Sequence, residues 1–204
     1  MLDKMALAMI KPATQWSAKQ LDRCKLKANQ VTLIGFLLGL CALPCIILGY
    51  FMWALAFISL NRICDGLDGA LARRHGATTV GAYLDICLDF IFYSAIVWAF
   101  AWASPADNAL AAVTLILSFM GTGASFLAYA IFAERHQIKN FAYPNKGFYY
   151  LGGITEGTET ILLFVAFCVF PQYFAPLAYG FAALCLLTTV TRIFGGVHTL
   201  KSYQ

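Results

Sequence analysis

Long apolar stretches separated by short polar segments occupy most of this chain from residue 31 onward. A helix needs about 20 apolar residues to cross the roughly 30 Å of hydrocarbon in a bilayer. Because backbone groups in lipid must be satisfied within their own segment, we expect helices and not the short alternating strands of a barrel. The pattern therefore predicts an all-α integral membrane protein, a bundle of six transmembrane helices in one domain over residues 1–204, with spans at 31–50, 52–73, 80–103, 108–133, 148–170 and 173–196.

The first 30 residues are too polar and too charged for a cleaved signal peptide, so we expect them to be retained. Apolar residues recur at helical spacing from Leu2 to Ile10, beside Lys4 and Lys11. This spacing predicts a short amphipathic helix on the membrane surface before Pro12. A frayed polar tail fits the same segment equally well.

Composition and charge support a membrane protein and give it an orientation. Of the 204 residues, 61% are hydrophobic and only 12% are charged, which excludes an ordinary soluble globular domain. Lys and Arg concentrate before the first span and after the second, fourth and sixth, whereas the opposite connections contain none. The positive-inside rule therefore predicts that both termini are cytoplasmic. The seven cysteines form no CxxC pair and are expected to act as small apolar side chains.

Six of the ten acidic residues lie within the predicted spans, where a carboxylate is costly and is a functional candidate by default: Asp65, Asp68, Asp85, Asp89, Glu156 and Glu159. Asp65 and Asp68 are three positions apart, and Asp85 and Asp89 are four apart, so each pair projects from one helix face. Asp65 lies about 12 Å along the helix from Arg73, which places the group just inside the cytoplasmic leaflet.

Four adjacent carboxylates repel one another unless cations neutralise them. Oxygen ligands without Cys or His favour Mg²⁺ or Mn²⁺, which in proteins are often shared with substrate phosphates. No Ser-His or Cys-His pair stands in the same stretch, so direct metal-assisted phosphoryl transfer is the expected chemistry.

The stretch from Asp65 to Arg73, followed by Gly81, Asp85 and Asp89, resembles the signature DxxDGxxAR…GxxxDxxxD of the CDP-alcohol phosphotransferases at every fixed position. Asn29 and Thr32 also resemble the Pro-Asn-x-x-Thr that opens the first span in this family, although Ala28 replaces the proline. One departure is that seven residues separate Arg73 from Gly81, where eight are expected in many members.

The resemblance implies transfer of a phosphoalcohol group, a phosphatidyl group if the donor is CDP-diacylglycerol, to an alcohol acceptor with release of CMP. It implies two Mg²⁺ or Mn²⁺ ions bound by Asp65, Asp68, Asp85 and Asp89, with Asp89 also serving as general base. It further implies a homodimer in the bacterial inner membrane with a cytoplasmic active site, and no nucleic-acid partner. The implied CDP-binding residues are Asn29, Thr32, Asp65, Gly69, Ala72, Arg73 and Gly81. Taken singly, the glycines and Ala72 also suit helix packing, and Arg73 also suits interfacial anchoring.

The sequence does not identify the acceptor alcohol. Glu156, Glu159 and Arg192 are candidates to bind it, and glycerol phosphate, an inositol species, serine and an amino alcohol all remain possible acceptors. Residues 153–157 partly resemble the Gly-Pro-x-Glu-Gly of eukaryotic choline and ethanolamine phosphotransferases, but Ile86 follows Asp85 where those enzymes have His. The alternative function, an ion or proton transporter, predicts acids near the midplane and repeated halves. The aspartates here are predicted near one face, and no repeat is evident.

Overall fold

The computed structural model describes residues 27–138 and 153–203, and these residues form α-helices joined by short turns. The predicted surface helix before Pro12 lies outside these ranges. The helices are α1 (Ala28–Leu40), α2 (Ala42–Ile47), α3 (Phe51–His75), α4 (Thr79–Ala103), α5 (Pro105–Arg135), α6 (Gly157–Val169) and α7 (Phe174–Lys201), with a 3₁₀ turn, Pro171–Tyr173, before α7.

Four segments in the described part of the chain are long and apolar enough to cross a membrane: Ala28–Ile47, Thr79–Ala103, Pro105–Arg135 and Pro171–Lys201. The α3 helix has 25 residues, a sufficient length, but it contains the charged signature. The α6 helix has only 13 residues, fewer than a full crossing needs. The all-α membrane fold is confirmed, whereas the count of six full spans stays a prediction.

The predicted first span, 31–50, is not one continuous helix. The α1 helix ends at Leu40, Cys41 lies in a turn, and α2 follows. Pro44 explains the interruption, because it has no N–H to donate to the Leu40 carbonyl and its ring crowds that carbonyl. The predicted end also lies too far along the chain, since α2 ends at Ile47 and Gly49 has a φ of 80°.

The predicted fifth span, 148–170, begins too early. Residues 148–152 lie outside the described ranges, residues 153–156 are not helical, and α6 begins at Gly157. Glu156 is the N-cap, and its backbone N–H donates to Glu159 Oε2 at 3.1 Å. The Glu156 side chain accepts in turn from the Glu159 backbone, which completes a capping box. Both glutamates therefore lie at the start of the helix and not within a span.

A three-residue turn joins α3 to α4 and brings the two halves of the signature together. The α3 helix ends at His75, and Gly76 has a φ of 94°, a conformation that glycine adopts easily. Thr78 caps α4 by accepting a hydrogen bond from the Gly81 N–H at 3.0 Å. The short spacing between Arg73 and Gly81 is accommodated in this turn.

The apolar core lies at the other end of α4 from the signature aspartates. Its fully buried aromatic rings include Phe92 and Phe100 of α4, Phe164 and Phe167 of α6, and Phe174 of α7. The rings of Phe100 and Phe174 stack with centroids 5.0 Å apart. This core fixes the C-terminal half of α4, so its N-terminal half presents the carboxylates at one end of the bundle.

Candidate active site

Three carboxylates of the signature converge across the α3–α4 hairpin. Asp65 and Asp68 of α3 and Asp85 of α4 each offer an oxygen, and these oxygens lie within 4.8 Å of one another. Asp68 is only 6% exposed, and its buried Oδ2 accepts no hydrogen bond within residues 27–138 and 153–203. A buried carboxylate oxygen with no protein donor is costly unless a cation is bound there. The all-oxygen donor set therefore fits Mg²⁺ or Mn²⁺.

The fourth aspartate, Asp89, pairs with an arginine. Its Oδ1 accepts from Arg62 Nη2 at 2.7 Å, and its Oδ2 lies 3.4 Å from the Tyr93 hydroxyl. Arg62 Nη1 also lies 3.7 Å from Asp65 Oδ2. The guanidinium group therefore stands between Asp65 and Asp89. Arg62 was not predicted as a site residue, although a basic residue within a predicted span is as much a functional candidate as an acidic one.

Arg62 is held firmly in place by its neighbours. Its Nε and Nη2 donate to Asn61 Oδ1 at 2.8 and 2.6 Å, and its Nη1 donates to the Tyr93 hydroxyl at 3.1 Å. The guanidinium also lies 5.3 Å from the centre of the Phe92 ring, a cation–π distance. Asn61 is itself buried and donates to the Gly35 carbonyl of α1 at 3.0 Å.

A first cleft, with about 1550 Å³ of empty space that includes open solvent, lies between α1, α3 and the start of α4. Six of the seven predicted CDP-binding residues line it: Asn29, Thr32, Gly69, Ala72, Arg73 and Gly81. The seventh, Asp65, faces a smaller cavity among the carboxylates. Lys27, His75 and Thr78 also line the first cleft and were not predicted.

The two glycines in this cleft differ in what surrounds them. A Cβ on Gly81 would lie 2.8 Å from Asn29 Oδ1 and 3.1 Å from Thr78 Oγ1, so protein packing already requires glycine there. Among the described residues, a Cβ on Gly69 would meet only Arg73 Nη1, at 3.4 Å. Packing between these residues therefore does not require glycine at position 69, and the α3 backbone lies open to the cleft there.

A second cleft, with about 1010 Å³ of empty space that includes open solvent, lies between α4, α5, α6 and α7. Its polar lining includes Asp85, Asp89, Tyr93, Glu156 and Arg192, and its apolar lining includes Phe90, Phe119 and Phe126. Asp85 borders both this cleft and the first one. The carboxylates therefore lie between two cavities that share α4 and are otherwise built from different helices.

Two of the three predicted acceptor-binding residues lie in the second cleft. Glu156 is buried at its edge, and Arg192 is buried with Nη1 donating to the Thr122 carbonyl at 3.2 Å. The Arg192 guanidinium lies 5.7 Å from the centre of the Phe126 ring. Glu159, in contrast, does not line the cleft and closes the cap of α6.

The sequence of the chain matches a known family. The sequence profile of the CDP-alcohol phosphatidyltransferases matches residues 25–194, which include both clefts and all four aspartates. The chain belongs to the CDP-alcohol phosphatidyltransferase family. As a member it is a membrane-bound phosphotransferase, which confirms the predicted class of enzyme, and the comparisons give the transporter alternative no support.

This phosphatidyltransferase is similar in sequence to two curated bacterial proteins. The chain is 52% identical over 204 residues to the Inner membrane protein YnjF of Escherichia coli strain K12, covering 100% of this chain and 99% of that protein. It is 33% identical over 120 residues to the Phosphatidylinositol phosphate synthase of Corynebacterium glutamicum, covering 55% of this chain and 52% of that protein.

Solved structures of a Mycobacterium tuberculosis phosphatidylinositol phosphate synthase, PgsA1, share the fold of this phosphatidyltransferase. The structure with CDP-DAG bound matches with a TM-score of 0.67 at 21% identity, covering 90% of this chain and 92% of that one. The complex with manganese and citrate matches with a TM-score of 0.72 at 22% identity, covering 90% and 88%.

Proposed function

We propose that this phosphatidyltransferase uses CDP-diacylglycerol as donor and transfers its phosphatidyl group to the hydroxyl of a small polar alcohol, releasing CMP. The solved structural relative binds CDP-DAG, and the corynebacterial relative is a synthase of a phosphatidyl lipid. The lipid tails of such a donor can remain in the bilayer while its nucleotide enters a cleft at the end of the bundle.

The position of Asp85 carries this proposal. Asp85 borders the first cleft, which six predicted CDP-binding residues line, and also the second cleft, which Glu156 and Arg192 line. A direct transfer needs the donor phosphorus and the acceptor hydroxyl to meet at one point. The carboxylates between the clefts provide that point.

The first cleft suits the CDP moiety. Arg73 is placed to bind phosphate, because its planar guanidinium can donate two parallel hydrogen bonds. Gly69 and Ala72 place no large side chain on the cleft wall, so a nucleotide can approach the α3 backbone closely. Asn29 and Thr32 supply polar groups from α1 on the opposite wall.

Asp65, Asp68 and Asp85 are the residues that would hold Mg²⁺ or Mn²⁺. When bound, the metal supplies positive charge that neutralises the diphosphate and the departing phosphate. The buried, unpaired Oδ2 of Asp68 supports this assignment.

Asp89 is the proposed general base. Arg62 holds its Oδ1, and its Oδ2 lies near Tyr93, which lines the second cleft. Asp89 takes the proton of the acceptor hydroxyl as the oxygen attacks the β-phosphorus. A new phosphorus–oxygen bond forms, the bond between this phosphorus and the bridging oxygen of the diphosphate breaks, and CMP leaves with that oxygen.

The second cleft suits a polar acceptor with apolar carbon faces. Arg192 and Glu156 offer opposite charges, and Phe90 and Phe126 offer ring faces. These groups favour an acceptor that carries a charged substituent beside its reacting hydroxyl. Glycerol phosphate, an inositol phosphate, serine and ethanolamine all meet this requirement and form the test panel.

We also propose the wider setting of the enzyme. The chain forms one catalytic domain over residues 1–204, acts as a homodimer, and lies in a bacterial inner membrane with both termini and the active site on the cytoplasmic side. The 52% identical relative is an inner membrane protein, which supports this location.

The test uses purified enzyme in mixed micelles with radiolabelled CDP-diacylglycerol and each acceptor in turn. We expect CMP and a new lipid with one acceptor class only, and no product after exhaustive chelation. Re-addition of Mg²⁺ or Mn²⁺ should restore turnover. Full turnover in the presence of the chelator would contradict the metal assignment. If none of the acceptors led to release of CMP, the assignment of CDP-diacylglycerol as the donor would be contradicted.

A further inference from the structure

Arg62 lies where a second metal ion would have to bind. The divalent ion proposed above takes Asp65, Asp68 and Asp85, so Asp89 is the remaining signature carboxylate for another ion. Asp89 Oδ1 is already 2.7 Å from Arg62 Nη2, and Asp65 Oδ2 is 3.7 Å from Arg62 Nη1. The guanidinium therefore lies between Asp89 and Asp65, on the side of Asp89 that faces the ligands of the first ion.

The guanidinium and a metal ion exclude one another at this position. A magnesium or manganese ion would have to lie about 2.1 Å from the Asp89 oxygen. An ion at that distance would stand close to a guanidinium that is always protonated, and the two positive charges would repel each other.

Arg62 is also unable to move aside at low cost. Asn61 accepts two of its hydrogen bonds, Tyr93 accepts a third, and the rings of Phe92 and Tyr93 lie 5.3 and 5.4 Å from it. Asn61 is 5% exposed and is tied to the Gly35 carbonyl. Moving the guanidinium would leave these buried partners unsatisfied.

We infer that Arg62 is a built-in cation that replaces the second divalent ion of this site, so that each chain binds one ion and the guanidinium holds Asp89. The inference rests on the metal-dependent reaction proposed above and revises the expectation of two ions. In this arrangement Arg62 is a positioning residue, since it acts through Asp89 and not on the substrate.

The number of bound ions tests the inference directly. Detergent-purified enzyme without nucleotide is titrated with Mn²⁺, and electron paramagnetic resonance counts the free and bound ions. We expect one bound ion per chain and a spectrum without coupling between neighbouring ions. Two coupled ions in the unmodified enzyme would overturn the inference.

Variants at position 62 test whether the positive charge of Arg62 determines the number of bound ions. Arg62→Gln removes the charge and should admit a second ion with a coupled spectrum, whereas Arg62→Lys should keep the count at one. Arg74→Gln, at the exposed end of α3, is the matched control and should leave the count unchanged. A single bound ion in a monodisperse Arg62→Gln protein would overturn the inference.

Asp89→Asn provides a second test that holds if Arg62→Gln does not fold. Because Asp89 holds no ion in this arrangement, the number of bound Mn²⁺ ions should be one per chain both before and after this substitution. A count that falls from two ions per chain to one on Asp89→Asn would overturn the inference. The CMP-release assay remains separate, so an active, metal-dependent enzyme with two ions would refute only the role of Arg62.

Discussion

Asn29 and Gly81 lie in such close contact that a methyl group on Gly81 would stand 2.8 Å from Asn29 Oδ1. The contact joins α1 to the first turn of α4 at the wall of the first cleft. Gly81→Ala should therefore push Asn29 out of position and weaken CDP binding roughly tenfold, about 1.4 kcal/mol, within the range that overpacking costs. Titration calorimetry with CDP measures this. Gly180→Ala is the control, because a Cβ there would meet no atom of another described element within 4 Å, and equal CDP affinity in both variants would contradict the prediction.

Asp68→Asn should weaken metal binding and, with it, donor binding. Asp68 is the most deeply buried of the converging carboxylates, and an amide cannot supply its charge. We expect Mn²⁺ affinity to fall by about tenfold or more, with CDP affinity falling in parallel when metal is limiting. Asp107→Asn, which changes an acid at the start of α5, should alter neither value. Unchanged metal affinity in Asp68→Asn would remove this residue from the ligand set.

Asp89→Asn should lower turnover and leave donor binding intact. The change preserves shape but removes the proton acceptor, which commonly contributes 10²–10⁴-fold, so a loss of about that size is expected. Single-turnover CMP release, measured across a metal titration and beside CDP binding, separates the two effects. Recovery of the native rate at high metal concentration would identify Asp89 as a ligand and not the base.

Arg73→Lys tests phosphate binding in the first cleft. Lysine keeps the positive charge but cannot donate two parallel hydrogen bonds from a planar group. We expect a higher KM for CDP-diacylglycerol with little change in thermal stability. Arg74→Lys, one position further along α3, is the control for a general effect of charge at the helix end. An unchanged KM would leave Arg73 as an interfacial anchor.

Glu156 and Glu159 should respond differently to the same substitution. Glu156→Gln changes a residue that lines the second cleft, so it should raise the acceptor KM and spare CDP binding. Glu159→Gln changes the cap of α6, where glutamine can still accept the bond, so it should cost less than about 1 kcal/mol of stability and leave KM unchanged. Acceptor kinetics and melting curves for both variants check this. Equal effects on KM would show that the cleft assignment is wrong.

Spacing along the sequence was sufficient to predict the carboxylate group, whereas the residues of the first cleft were predicted from the resemblance to the family. Asp65, Asp68 and Asp85 converge because the hairpin is short and each pair occupies one helix face. Asn29 could be assigned only by resemblance to the family, since no local rule brings residue 29 against residue 81.

The structural features that were not predicted depend on interactions between distant segments or on single residues within the apolar stretches. Pro44 was a visible helix breaker within the first apolar stretch. Glu156 and Glu159, three positions apart after two glycines, matched a cap as well as a buried pair. Arg62 was not predicted, although a cation within a predicted span is costly in lipid and is as much a functional candidate as a carboxylate.

The two clefts divide the chain almost in half. The first uses α1, α3 and the beginning of α4, and the second uses the middle of α4 with α5, α6 and α7. Under the proposed division of donor and acceptor between the clefts, substitutions in the C-terminal half should change which alcohol is accepted without disturbing nucleotide recognition. This separation would give the fold a route to new head-group preferences, because one half would stay constrained by a common donor while the other could diverge.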